Sequence, residues 1–479
     1  MSAPAHAAMR AGADAELRVD AERTRAPRGS RLDEARAWLR SALAGATGEG
    51  LLAITVATRA APIEAPLRAV RKGASWAFAP ADGVSIAAIG STRTFALSGD
   101  DRLEVARAQC VETMSDVMVR AEDGALSIPL RAMVGLAFAP GSARETPWES
   151  FGDGAIVVPR WTYATDGLRA SLTLAVDRAR PLDERLAVAE LETLVGAIEA
   201  EPRALGAAPP IVRVDHLDRE RWDRAIGSIA EILGRGEARK IVASRRSVVT
   251  TATDLDPLDV LARLEDARAT STRFLVRRGR ASFVGSTPEH LFVQRGTRIE
   301  TEALAGSIAA GAVRAAERLL ESAKDREEHE LVVRHIVDRL GPLCARIARP
   351  EAPQIRRLPT VLHLRTPIEA ELARPTHAID VIAALHPTPA VGGTPADRAL
   401  AWITRQEPAP RGWYGAPLGW IDARGDAEVL VALRCGVIQG ARAWLYAGCG
   451  VVAGSQAASE WDETTLKMRP MLRAIGAAT

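Results

Sequence analysis

Towards the end of the 479-residue chain, Glu460, Glu463 and Lys467 follow a short apolar run at offsets of i, i+3 and i+7. Side chains at such offsets share one helical face, so AGCGVVAGSQAASEWDETTLKM predicts a strand, a Gly-rich turn and a helix beginning near Ser459. Two carboxylates on one face suit a hard divalent cation, since Mg2+ is held by a few carboxylates while water and substrate oxygens complete the shell. An ordinary solvated first turn with an i,i+4 ion pair, worth about 0.3–0.5 kcal/mol, has the same pattern. The segment alone does not choose between them.

A second acid stands apart in SAKDREEHELVVRHIVDRL. Val332 and Ile336 follow Glu328 at i+4 and i+8, which places this carboxylate on the apolar stripe of a helix. A carboxylate facing a core must be paired, protonated or bound to a cation, and a metal ligand is one of those outcomes. His329 and His335 are six residues apart, a poor pair for zinc on one face, and read as structural.

Lys240 opens KIVASRR, where Lys240, Val242 and Ser244 alternate to one face and Ile241, Ala243 and Arg245 to the other. A lysine at a strand start ordinarily reaches for solvent. Buried there, an amine loses the water that stabilises its charged form and becomes a usable general base. Glu289, in ASFVGSTPEHLFV, falls in a turn between two apolar strands. An apolar setting favours the neutral form of a carboxyl group, which a general acid requires.

Gly448, Gly450 and Gly454 form G-x-G-x-x-x-G after a strand. The dinucleotide fingerprint has different spacing and needs a longer βαβ unit after it, so that reading is rejected. Backbone amides approached by an anion remain compatible with the glycines. The sequence has no G-x-S-x-G elbow, P-loop or H-E-x-x-H, so serine hydrolysis, Walker-type phosphoryl transfer and zinc proteolysis lack their usual support.

The elements that must position these residues fall into two groups. Residues 31–43 predict a helix, followed by the strand-like runs LLAITVAT, SWAFAP and VSIAAIG, a helix over 101–119, and the runs MVGLAFAP, GAIVVPR and ASLTLAVD. The segment EAEPRALGAAPPIVRVDHLD marks the best internal break. A helix over 219–233 opens the second group, in which KIVASRR, TRFLVRR, ASFVG and HLFVQRG alternate with helices, the longest expected over 313–347. This is α+β or mixed α/β organisation. Residues 1–30 read as a disordered leader, 31–210 as a sheet-rich N-terminal lobe and 211–479 as a C-terminal lobe of one integrated domain.

Bulk composition narrows the function classes. Lys plus Arg (62) nearly cancels Asp plus Glu (60), so no overall field favours nucleic acid or an anionic membrane. Any bound anion must be held locally. Cys110, Cys344, Cys435 and Cys449 are scattered without a C-x-x-C pair, which suits a reducing cytoplasm.

Eight segments in order, KIVASR, GSTPEHL, TEALAGS, KDREEHELVV, LHPTPAVGGTP, RGWYGAPLGW, VALRCG and AGCGVVAGSQAASEWDETTLKM, resemble the chorismate-utilising family. They span about half the chain. The resemblance implies an α+β fold of the anthranilate synthase large-subunit type: one large chorismate-binding domain with two facing antiparallel sheets, helices outside and the site in a cleft. It implies Lys240 as the base that activates water and Glu289 as the acid. Glu328 and Glu463, with Glu460 nearby, match ligands of a Mg2+ ion that clamps the ring carboxylate of chorismate. Arg434, Tyr414, Lys467 and the backbone around Gly448 match positions that hold the substrate's carboxylates, chiefly that of the enolpyruvyl arm, and His363 matches a histidine near the ring.

The implied reaction is reversible isomerisation of chorismate to isochorismate by water attack at C2 and loss of the C4 hydroxyl. Lysine at position 240 resembles the members that use water, so no glutamine amidotransferase subunit is expected. Ala390 stands where pyruvate-eliminating members tend to carry threonine, which implies that the reaction stops at isochorismate. A salicylate synthase and a catalytically silent chorismate-binding subunit are the rival readings. The resemblance leaves open whether the product feeds menaquinone, a siderophore or another salicylate-derived metabolite.

Overall fold

The computed structural model describes residues 30–70, 73–264, 271–358 and 361–477. The expected leader lies, but for Ser30, outside the described residues. Among them, thirteen strands form one sheet and ten form a second. Pairing is antiparallel apart from Leu51–Thr58, which runs parallel to Val117–Ala121 on one side and antiparallel to Ala170–Asp177 on the other.

Both sheets draw strands from either side of residue 210. In the larger, Ser75–Ala79 pairs with Thr272–Arg278; in the smaller, Arg131–Leu136 pairs with Pro417–Asp422. Residues 201–210 between the two groups carry neither helix nor strand and are mostly exposed, as their prolines and glycines suggest.

The runs read as strands are apolar on both faces because both faces are covered. An aromatic-rich core fills the space between the sheets, with Trp76, Phe78, Phe274 and Phe283 from one side and Met133, Val157, Leu418 and Trp420 from the other. On its outer face the larger sheet packs against Ser30–Leu43, Glu184–Glu199, Pro257–Arg263 and Ala457–Ile475, through residues such as Leu39, Leu191, Leu261 and Met471. A third cluster joins Ala323–Leu340 and Ala378–Leu385 to the smaller sheet.

Three expectations need correction. The helix over 101–119 ends at Met114, and Val117, Met118 and Val119 join the edge strand beside Leu51–Thr58. The long helix over 313–347 is two helices, Ala315–Glu321 and Ala323–Leu340. Ser322 leaves helical geometry at φ −66° and ψ 109° and caps the second helix by accepting from Asp325 N, as N-cap serines do. Gly341 and Pro342 then end it before the strand Cys344–Ala348. Finally, Gly448 and Gly450 are not in a turn: they lie within the strand Arg442–Val451, and only Gly454 occupies the turn. Among the described residues no helix is long and apolar enough to cross a membrane.

Candidate active site

The eleven residues to which the resemblance assigns a part in the site border one cavity of about 270 Å³: Lys240, Glu289, Glu328, His363, Ala390, Tyr414, Arg434, Gly448, Glu460, Glu463 and Lys467. The strand Lys240–Thr251 lies second from one end of the larger sheet, between the edge strand Ile211–His216 and Arg442–Val451. Its first residue is buried, at 1% exposure, contrary to the usual solvent-seeking lysine. Lys240 Nζ donates to Glu328 Oε1 at 2.7 Å. Glu328 arrives from the Ala323–Leu340 helix, whose Val332 and Ile336 are buried; the carboxylate stands at the edge of that apolar stripe and is 14% exposed.

Glu289 lies between the strands Ala281–Thr287 and His290–Arg295. Burial pushes its carboxyl group up to about 8, the charge of Glu302 adds to the effect, and Lys240, Lys467 and Arg434 oppose it. At neutral pH the group carries a proton, the state a general acid needs.

Arg434 has a left-handed backbone, φ 48°, uncommon for a side-chain-bearing residue and frequent at functional sites. Burial lowers its guanidinium to about 10, leaving it cationic. Arg434 Nη2 lies 3.4 Å from His363 Nε2, and His363 Nδ1 lies 2.9 Å from Ser307 Oγ and 3.3 Å from Gly306 O. A carbonyl only accepts and a guanidinium only donates, so the ring carries its proton on Nδ1 and presents an acceptor to Arg434. Burial, then the charges of Arg434 and Lys467, depress His363 to about 3, consistent with a neutral ring. The register shifts between Ala305 and Ser307, and Gly306 takes φ +72° with Asp325 against its missing Cβ, which turns this stretch of strand to meet His363.

The Ala457–Ile475 helix brings Glu460, Glu463 and Lys467 to the same cavity. Lys467 Nζ contacts Glu463 Oε1 at 2.7 Å and donates to Gly448 O at 3.0 Å. Burial works against this ammonium, but Glu463 and, after it, groups including Glu328 together outweigh burial and raise its pKa. Burial and then the charge of Glu463 raise Glu460. Among the described residues no three His, Cys, Asp or Glu side chains already converge as a metal cluster. The carboxylates of Glu328, Glu460 and Glu463 line the cavity as hard oxygen donors, the chemistry that suits a divalent cation.

Sequence reading missed Arg245, on the far face of the lysine strand. It is buried, donates to Thr464 Oγ1 and Thr465 Oγ1 at 2.6 Å and lies 3.9 Å over the Trp461 ring. It thereby fastens the carboxylate-bearing helix to the strand of Lys240. Tyr414 stacks on Tyr446, ring centroids 5.6 Å apart, and burial raises its phenol, so the hydroxyl stays a neutral donor.

Residues 48–476 match the protein family described as "Chorismate binding enzyme". The chain is 36% identical over 352 residues to the salicylate biosynthesis isochorismate synthase of Pseudomonas aeruginosa, an overlap of 72% of this chain and 74% of that protein. Its fold is similar to that of MenF, the menaquinone-specific isochorismate synthase from Escherichia coli, with a TM-score of 0.74, 24% identity and coverage of 92% of this chain and 99% of that one. It is also similar in fold to anthranilate synthase component I from Streptococcus pneumoniae, with a TM-score of 0.66, 19% identity and coverage of 81% and 92%.

Proposed function

The chain belongs to the family of chorismate-binding enzymes, and from that premise we propose that it acts as an isochorismate synthase, interconverting chorismate and isochorismate. One observation carries the reading: a buried amine, Lys240, and a buried carboxyl group, Glu289, whose pKa that burial raises, border the same cavity. Binding alone requires no such acid and base.

Lys240 acts as the base once its hydrogen bond to Glu328 opens. It takes a proton from water as the oxygen bonds to ring C2. The double bonds shift, the C4–O bond breaks, and Glu289 delivers its proton to the departing hydroxyl. One water enters and one leaves. In the reverse direction the two residues exchange roles. Arg434, Tyr414, Lys467 and the backbone at Gly448 hold the enolpyruvyl carboxylate, where a guanidinium matches a planar anion. His363 keeps Arg434 in place beside the ring.

Glu328 and Glu463, with Glu460 beside them, fit as ligands of Mg2+. When bound, the ion supplies charge neutralisation and positioning of the ring carboxylate. Ala390 presents only a methyl group at the cavity wall, which supports a reaction that stops before pyruvate is eliminated.

The decisive experiment incubates the purified protein with chorismate and Mg2+ and separates the products by chromatography. Isochorismate alone is expected. Salicylate with pyruvate would make the protein a salicylate synthase, and unchanged chorismate would sink both enzymatic readings.

A further inference from the structure

The strand Lys240–Thr251 pairs along one edge with Arg442–Val451, from Ile241 to Thr250. Its other edge is divided. Lys240 and Ile241 pair with Thr394 and Gly393, Val242 N donates to Gly392 O at 2.9 Å, and the strand Ile211–His216 takes up the ladder only at Ser247. Between these two partners, backbone groups meet side chains. Ser244 N donates to Glu407 Oε1 at 2.7 Å, and Val242 O accepts from Arg411 Nη2 at 2.9 Å.

Glu407 and Arg411 are themselves joined by two hydrogen bonds of 2.7 Å, a fork geometry that fixes direction as well as distance. Arg411 is 1% exposed and Glu407 2%. Arg411 Nη1 also donates to Val391 O at 2.6 Å, next to Ala390, and the guanidinium lies 4.3 Å over the Phe138 ring. Arg411 borders the cavity, yet its four hydrogen bonds all go to protein groups. A buried ion pair is a weak source of stability, since well-packed apolar residues often replace one without loss. What distinguishes this pair is its partners, two of which are backbone groups of the strand that begins with Lys240.

We propose that the buried Glu407–Arg411 pair is a positioning device for the reaction: it completes the ladder of the lysine strand where no strand of the described residues reaches and ties that strand to the Ala390 segment, fixing how far Lys240 stands into the cavity. The proposal rests on the reading of Lys240 as the base.

The test combines amide hydrogen exchange with steady-state kinetics. In the wild-type protein the Ser244 amide should exchange as slowly as the strand-paired amides around it. Arg411→Lys keeps the charge and loses the fork. Glu407→Gln/Arg411→Met removes both charges while leaving an acceptor for Ser244 N. Both variants should lower kcat by about 10- to 100-fold, the scale of a misplaced catalytic group, with the chorismate KM within about twofold. Exchange should quicken in residues 240–246 and not elsewhere, and the double variant should melt near the wild type. Wild-type kcat with unchanged exchange would overturn the proposal, as would a loss confined to KM or a rapidly exchanging Ser244 amide in the wild type. Failure of the wild type to convert chorismate would count against the Lys240 reading, and exchange at 240–246 would still decide whether the pair holds the strand.

Discussion

Lys240 and Glu328 meet across the bare backbone of a glycine. Their Nζ and Oε1 atoms are 2.7 Å apart, and a Cβ on Gly450 would stand 2.5 Å from Lys240 Cε and 2.7 Å from Glu328 Oε1. Gly450→Ala should therefore displace the pair and lower kcat/KM by about 100-fold while the protein stays folded. Steady-state kinetics with a thermal melt tests this; near-wild-type activity would show that the pair moves aside freely.

Lys240→Ala should reduce turnover by about 10²- to 10⁴-fold, the usual contribution of a general base. Chorismate affinity, measured by calorimetry, should stay within several-fold of the wild type. Lost binding with residual turnover would contradict the assignment to chemistry.

The acid predicts a pH dependence. Because folding raises Glu289 to about 8, the proton needed in the chorismate-to-isochorismate direction is present at neutral pH and is lost as pH rises through that value. The rate–pH profile should fall on that limb. The sign for stability is the same: the folded chain retains a proton that the unfolded chain gives up in the ordinary carboxylate range, so the contribution is full below that range and lost as pH rises through about 8. Glu289→Gln should abolish turnover and flatten this part of the stability profile, measured by denaturant melts across pH.

His363→Ala removes the acceptor facing Arg434. The chorismate KM should rise by about 10-fold, the order of one hydrogen bond to a charged group, with a smaller change in kcat. The wild-type profile should show no inflection from His363 above its depressed value of about 3. A loss mainly in kcat would instead assign the imidazole to the chemical step.

Chelation of divalent cations should stop turnover, and Mg2+ should restore it. Independently of activity, Mg2+ should raise the melting temperature of the wild type, because an ion that binds only the folded chain stabilises it by mass action. Glu463→Gln and Glu328→Gln should each weaken that shift. An equal shift in all three proteins would place the ion elsewhere.

Legibility in the sequence followed the range of the interactions. The face shared by Glu460, Glu463 and Lys467 and the apolar stripe beside Glu328 are local periodicities, and the structure has both; the turn expected at Glu289 is instead a two-residue link from a strand of the larger sheet to one of the smaller. The break at Ser322 was written locally too, but the charged run around it has the composition of an uninterrupted helix. Strand interleaving was not legible: Arg273 pairs with Ala79, and no local pattern records so distant a neighbour. Glu407 and Arg411 have the i,i+4 spacing of a solvated surface pair, and only their burial and their bonds to a remote strand separate them from one. The glycines at 448 and 450 suggested a turn because a strand interior seldom contains two, and the reason for Gly450 is a pair of side chains from elsewhere in the chain.

The interleaved sheets also set a timetable for the molecule's synthesis. The cavity wall begins at Lys240 and is closed by Lys467, and the strand Arg442–Val451 that flanks Lys240–Thr251 is made two hundred residues later. A nascent chain therefore carries its base long before it carries Glu460 and Glu463, and the backbone edge of the lysine strand must wait for that late partner. Contacts of such sequence separation slow folding, so ribosome-bound intermediates should be catalytically inert and should offer that strand to chaperones until the Ala457–Ile475 helix emerges.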